Sequence, residues 1–453
     1  MASITQTVDN IGQTTPTISN PSERDTVEKL GNFIKITDSD ESSGLTNFCY
    51  VNDPKVDDVF TENVDTIKQC RGVVFDGQTV VMKAFSYTNE YGLGDPALKE
   101  WFSKMGGWKN CRFFDSHEGA LIRMFYYAGK WWMTTHRKLN AFKSKWGGGE
   151  SYGTTFKAAL KNQIEENQVL RDSLPIGKGN FYDSFQSILK KDSQYMFLVR
   201  NTSQNRLVCD APDKPEMFHV GTFNNGVLDV NDQINVNQPN EHGFDSEQEL
   251  IDHVNKCDPK VTAGLIVFGP GNNQVKISSD AYLNMSACRG NQPSIKFRFL
   301  QIRMDPDTNR LLRRMYPENV HEFDEYEEVI GVIGKNIHNA YMSRFIHKQF
   351  TQVPQAEYAV IRQAHQWFID GRQEDGANER KVTLNVIRQV LDEQKATSIN
   401  QMIKRIKHES FKKAKEEQAN LENEQNVDMS SSVEDFPALG QVPELVDEMD
   451  VED

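Results

Sequence analysis

Ser116-His117-Glu118-Gly119 places a hydroxyl, an imidazole and a carboxylate in a row just before the apolar run ALIRMFYY. A His/Glu pair within hydrogen-bond reach of a hydroxyl is the composition of acid–base or nucleophilic chemistry. In a turn entering a strand, the same pair more often forms a solvated hydrogen-bonding pair, and no base is evident beside Ser116. A second candidate follows in His136-Arg137-Lys138 with Lys143 and Lys145, flanked by Trp131, Trp132 and Trp146. Charges for phosphates beside aromatic faces for bases are what single-stranded nucleic acid requires of a binding segment. The stretch WGGGESYG (146–153) lacks the Gly-Lys-Ser/Thr ending of a phosphate-binding loop and reads as a flexible connection.

The elements that must position these residues are strands. NFCYV, RGVVFDGQTVVMKAFSY, CRFFD and ALIRMFYYAGKWWMTTH alternate in a strand-like manner and are punctuated by Asp76-Gly77 and Ala128-Gly129, which predicts antiparallel meanders. Helices are expected at 95–105, across 152–192 and near 246–256, with strands resuming at QYMFLVRN, MFHVGTF, AGLIVFG and QVKIS. From about 297 to 415 the spacing is helical throughout, as in EYAVIRQAHQWFID. The fold class is therefore α+β followed by an α-helical domain. The expected divisions are a disordered tail over 1–25, a domain over 26–296, helices over 297–420 and an acidic disordered tail over 421–453.

Composition supports this reading. The chain of 453 residues with 38% apolar content can bury a sizeable core. No apolar run approaches the roughly 20 residues of a membrane span, and the polar N-terminus lacks the basic and apolar regions of a secretory signal. A cytoplasmic location is expected. The net charge of −14 looks hostile to nucleic acid, but nine acidic residues and no basic one fall between Asp428 and Asp453, leaving −5 for the rest. Cys49, Cys70, Cys111, Cys209, Cys257 and Cys288 form no CxxC pair; they read as reduced core thiols, and no metal site is expected.

Several of these strands, in one order, resemble phage-type ATP-dependent RNA ligases of the covalent nucleotidyltransferase superfamily. RGVVFDG (71–77) and KAFSYTNEYG (83–92) resemble that family's lead-in segments. SHEGALI falls where the family places Lys-x-Asp-Gly-Ser-Leu-Ile. MFLVRNTSQNRLV (196–208) resembles the strand carrying an adenosine-side carboxylate, AGLIVF (263–268) the Glu-Gly-aliphatic motif, and QVKISSDAYL (274–283) the Lys-x-Lys strand followed by Tyr-Leu. The resemblance covers roughly residues 45 to 290 and implies a nucleotidyltransferase (ATP-grasp-like ligase) domain. It also implies a lysine nucleophile, with ATP and Mg2+ as cofactors and RNA as substrate.

The chain departs from that pattern where the chemistry would occur. Ser116 stands at the nucleophile position. Leu198 and Ala263 stand where acids are expected, and Ser278 replaces the second lysine of Lys-x-Lys. Glu118, Gly119, Arg71 and Lys276 keep family-like types and are the expected nucleotide contacts; His136, Arg137, Lys138, Lys143 and Lys145 are the expected RNA contacts. The implied function is an RNA-ligase-like pseudoenzyme that binds RNA or nucleotide. A second reading is an active ligase using Lys138 as its amine. A third is a structural protein of a viral assembly, located in the host cytoplasm.

Two features lie beyond the resemblance. Residues 398–420 form a basic amphipathic segment, with Ile399, Met402, Ile403, Ile406 and Phe411 at near-helical spacing; it would dock on RNA, an anionic membrane surface or a partner helix, or pack on its own domain. In the acidic tail, Phe436, Pro437 and Leu439 form an isolated apolar cluster suited to binding a protein partner.

Overall fold

The computed structural model describes residues 21–51, 63–83, 85–147, 149–175, 179–203, 206–374 and 380–429. Its contacts divide the chain into a unit over 1–287 and a second over 288–453, a division earlier than the boundary at 296 drawn from the sequence.

The first unit carries three sheets. The first is an antiparallel meander of β1 (Ile34–Asp40), β2 (Leu45–Tyr50), β3 (Arg71–Asp76) and β4 (Thr79–Met82). The chain then passes through β5 (Asn89–Gly92), β6 (Arg112–Asp115), β7 (Ala120–Tyr127), β8 (Lys130–Thr134), β9 (Ser193–Arg200) and β10 (Glu216–Asn224). It continues with β11 (Val227–Asp229), β12 (Glu241–His242), β13 (Leu265–Phe268) and β14 (Gln274–Ser278). The second sheet has the order β11-β10-β9-β7-β8 and the third β12-β6-β13-β14-β5. Pairing is antiparallel throughout, as the turn signals imply, except that β14 runs parallel to β5. Those two strands are far apart in sequence, so no tight turn constrains their direction.

Each apolar stripe finds a sheet. Phe156 and Leu160 of the helix Tyr152–Glu166 pack on Ile122, Met124, Phe197 and Met217 of the second sheet. Leu98 of the helix Pro96–Lys104, with Leu250 and Val254 of the helix Glu247–Lys256, covers Phe113, Leu265, Val267 and Ile277 of the third. The turn at 116–119 is thus the crossing point at which the chain leaves β6 in the third sheet and enters β7 in the second.

The second unit is helical: Ile295–Ile302, Pro306–Met315, Val320–Tyr341, Gln355–Glu374, Leu384–Asp392 and Ala396–Met429. Two expectations about the chain ends are corrected. Residues 21–25, expected in a disordered tail, belong to the helix Pro21–Lys29, where Val27 is buried beside Phe48 and Phe75. The last helix runs to Met429, past the expected start of the acidic tail at 421. Within it Ile399, Met402 and Ile403 are buried, while Arg405 pairs with Glu357 and Lys407 with Glu325 at 2.9 Å. That part of the basic segment packs on its own unit. Phe411 is exposed. Phe436, Pro437 and Leu439 lie outside the described residues.

Candidate functional site

The turn is held by its backbone. The Ser116 amide donates to the Gly264 carbonyl at 2.9 Å, and the Ser116 carbonyl accepts from the Ala263 amide at 2.8 Å and the Thr262 hydroxyl at 3.1 Å. These bonds continue the β6–β13 ladder past its last pair, Asp115↔Leu265, and bring two of the ligase-like segments together. Gly264 has φ +107, and a Cβ there would lie 2.1 Å from the Ile277 carbonyl oxygen, so this close crossing admits only glycine. Gly119 is required for a different reason: a Cβ would meet the Val199 carbonyl at 2.5 Å and the Leu198 side chain at 3.0 Å.

From the turn a continuous polar network spreads. The Glu118 carboxylate accepts from the Val208 amide at 2.9 and 3.0 Å, the Cys209 amide at 3.1 Å and the Tyr282 hydroxyl at 2.8 Å. Burial and then Glu118 push the Tyr282 hydroxyl far up, so it stays protonated as the donor. Lys276 Nζ stands 4.4 Å over the Tyr282 ring and pairs with Glu90 at 2.7 Å. Glu90 also accepts from the Ser278 hydroxyl at 2.7 Å, and that hydroxyl lies 2.7 Å from the Ala263 carbonyl. Ser116, Glu118, Gly119 and Lys276 are thereby brought together. Every charge in this network has a partner inside it. Glu90 and Tyr282, which no expectation singled out, complete the network; both lie within segments that carry the resemblance, but nothing local marks either as a partner of Lys276 or Glu118.

His117 turns away from this network. Its ring stacks on Phe218 with centroids 4.4 Å apart, and its buried Nδ1 has no hydrogen-bond partner. Burial first, then Arg200, holds its pKa below the usual imidazole value. No His117–Glu118 acid/base pair forms, because the carboxylate is engaged elsewhere.

The second group of expected residues lies at the same end of the β7–β8 hairpin, whose last pair is Arg123↔Thr134. Here charge is arranged differently. Arg123 is completely buried and donates to the carbonyls of Gly72 and Thr135 instead of to a carboxylate. Burial, with Arg71 adding repulsion, draws its pKa down to about 9. The buried Nε of Arg71 has no hydrogen-bond partner. Arg71, Arg123 and Arg137 make no ion pair among the described residues, and no hydrogen bond links the Arg71 side chain to the Ser116 network.

His136 is a correction. Burial and then Arg71, Arg123 and Arg137 pull its pKa down to about 3, so the ring is neutral at physiological pH and contributes no cation to the segment. The aromatic expectation is corrected as well. Trp132 is buried, with its Nε1 donating to the Tyr127 carbonyl at 3.2 Å, and Trp131 packs on Tyr126 and Tyr195. Trp146 is half-buried, and Phe142, on the short helical turn Ala141–Lys143, is exposed with Lys157 5.0 Å from its ring centroid. Arg137, Lys143 and Lys145 are exposed, and their side chains make no ion pair among the described residues. Lys138 is half-buried; its amide and carbonyl close the turn onto Thr135.

Among known proteins, no family model matches the chain. It is 29% identical over 359 residues to an immediate-early protein ICP-46 homolog of Invertebrate iridescent virus 6, covering 76% of this chain and 78% of that one. It is 22% identical over 236 residues to a putative bifunctional polynucleotide kinase/RNA ligase of Autographa californica nuclear polyhedrosis virus, covering 48% of this chain and 31% of the relative. Its structural neighbours are ATP-dependent ligases. A putative ATP-dependent DNA ligase from Aquifex aeolicus aligns with a TM-score of 0.35 at 12% identity, over 68% of this chain and 75% of that one. An archaeal ATP-dependent RNA ligase aligns with a TM-score of 0.34 at 10% identity, over 67% and 74%. No helix among the described residues is long and apolar enough to cross a membrane.

Proposed function

We propose that the chain is a ligase-like nucleotidyltransferase frame that has lost covalent adenylation and binds single-stranded RNA through the exposed cations of the 136–145 loop. The observation that supports this most directly is the Ser116 turn. Segments resembling the family's nucleophile, Glu-Gly and Lys-x-Lys motifs meet there in space, yet the position of the amine holds a serine.

The residues present do not fit the magnesium–ATP half of the family's chemistry. Leu198 lies against Gly119 and Ala263 is fully buried, so neither place expected to hold an acid offers an oxygen to a metal or a ribose. Lys276, the retained motif lysine, is neutralised by Glu90. The loop, by contrast, offers Arg137, Lys143 and Lys145 to phosphates and the Phe142 face to a base.

Incubation with α-labelled ATP and magnesium, followed by a denaturing gel, tests the first half: no covalently labelled band is expected. A band lost in Lys138→Ala would replace this reading with an active ligase using that lysine, whose ammonium is unpaired among the described residues. With viral proteins among its relatives, the proposed setting is the host cytoplasm, and the proposed protein partner would engage Phe436, Pro437 and Leu439.

A further inference from the structure

A separate cluster forms where three distant parts of the chain converge. The β12–β6 register sets His242 opposite Phe113, and strand alternation puts Asp115 on the same face as Phe113. The helix Glu247–Lys256 buries Leu250 and Val254 against Phe113 and Leu265, which brings His253 over that face with its ring 4.5 Å from that of His242. One ligand-capable atom from each of Asp115, His242 and His253 lies within 4.8 Å of the other two, and no other such trio occurs among the described residues. All three are half-buried.

The details suit coordination better than a chance contact. Asp115 Oδ1 lies 2.8 Å from His242 Nε2, while its Oδ2 accepts from Asn240 Nδ2 at 2.8 Å. The carboxylate is therefore aimed by a neighbour, as outer partners aim metal ligands. The His253 ring makes no hydrogen bond among the described residues. A cleft of about 570 Å³ opens beside the two imidazoles, lined by His242 and His253 and also by Glu249, Asp252 and Lys256.

We propose that Asp115, His242 and His253 bind one divalent transition-metal ion of the zinc class, through two imidazole nitrogens and one carboxylate oxygen, with water as the fourth ligand. Magnesium and calcium prefer sets made wholly of oxygen, whereas imidazole with one carboxylate suits zinc. The ion would tie the helix Glu247–Lys256 to Asp115, the residue that leads into the Ser116 turn. Its role is a clip, and it rests on none of the RNA or adenylation readings.

The test is titration of the chelator-stripped full chain with Zn2+ against a chromophoric zinc indicator, repeated with Co2+. The expected result is one ion per chain, a tetrahedral cobalt spectrum without a thiolate charge-transfer band, and no competition from excess Mg2+. His253→Ala should weaken binding by more than about 100-fold and Asn240→Ala by about tenfold. Circular dichroism confirms that each variant is folded, and Asp115→Asn serves if His253→Ala is not. Absence of zinc binding, an affinity unchanged in the folded variants, or a thiolate band placing the ion on cysteine would each overturn the site.

Discussion

The turn at 116–119 and the loop at 136–145 flank one end of a single hairpin, yet they treat charge in opposite ways. In the turn, Glu118, Lys276 and Glu90 are each satisfied within the network by a counter-charge, a hydroxyl or backbone amides. Around the loop, Arg71, Arg123 and Arg137 make no ion pair among the described residues, the Asp38 carboxylate there accepting from the Leu139 amide at 2.9 Å, and Lys143 and Lys145 are exposed with no ion pair among the described residues. A half-buried charge that is fully paired holds the frame together and has little left to offer a ligand. An exposed cation with no internal partner contributes little to folding and stays available to an anion. Similarity of motif therefore points to the turn, while availability of charge points to the loop.

That contrast can be broken from either side. The largest effect is expected from Gly264→Ala, which forces a Cβ onto the Ile277 carbonyl at a positive φ; a loss of about 4 kcal/mol in denaturant unfolding is expected, and a fully stable variant would mean the turn is not clamped as described. Glu118→Ala strips the acceptor from two backbone amides and the Tyr282 hydroxyl. A loss of about 3 kcal/mol is expected, with RNA affinity unchanged in the fraction that remains folded. If RNA binding fell while stability held, Glu118 would be a ligand contact instead.

On the other side, Arg137→Ala/Lys143→Ala/Lys145→Ala should leave stability within about 0.5 kcal/mol. In filter binding across a salt series, the slope of log affinity for single-stranded RNA against log salt should become shallower by about 2, the value for three phosphate contacts on a single strand. An unchanged slope would remove the loop from the RNA reading. The smallest effect concerns His136. Because its folded pKa is near 3, lowering the pH from 7.5 to about 5.5 should add no charge at this ring, and His136→Gln should show the same pH dependence of RNA affinity as wild type. Stability behaves differently: the unfolded imidazole takes up a proton below its ordinary value of 6.5 and the folded one does not. The His136 contribution is therefore present above that pH and fades as pH falls from 6.5 towards 3. His136→Gln should flatten that part of the acid-unfolding curve.

Much of the frame was legible because its signals are local. The antiparallel meanders, the helices near 95–105 and 246–256 and the helical second half follow from period, turn residues and caps such as Asp95, which accepts from the Ala97 amide, and Ser246, which accepts from the Glu249 amide. The serine at 116 and the apolar residues at 198 and 263 were likewise plain from the order of the segments. The neutrality of His136 was not, since it depends first on burial and then on Arg71 and Arg123 arriving from other strands. The burial of Trp132 depends on a sheet face that only the assembled hairpin and its neighbours define.

The amino-acid order alone determined which element types form, where the chain turns, and that no amine stands at 116. Tertiary structure alone decided which polar groups meet: Glu90 with Lys276, Glu118 with Tyr282, and Asp115 with His242 are pairs separated by more than a hundred residues. Electrostatic pairing and desolvation fall steeply with distance and depend on burial, and neither quantity exists until the strands are in register.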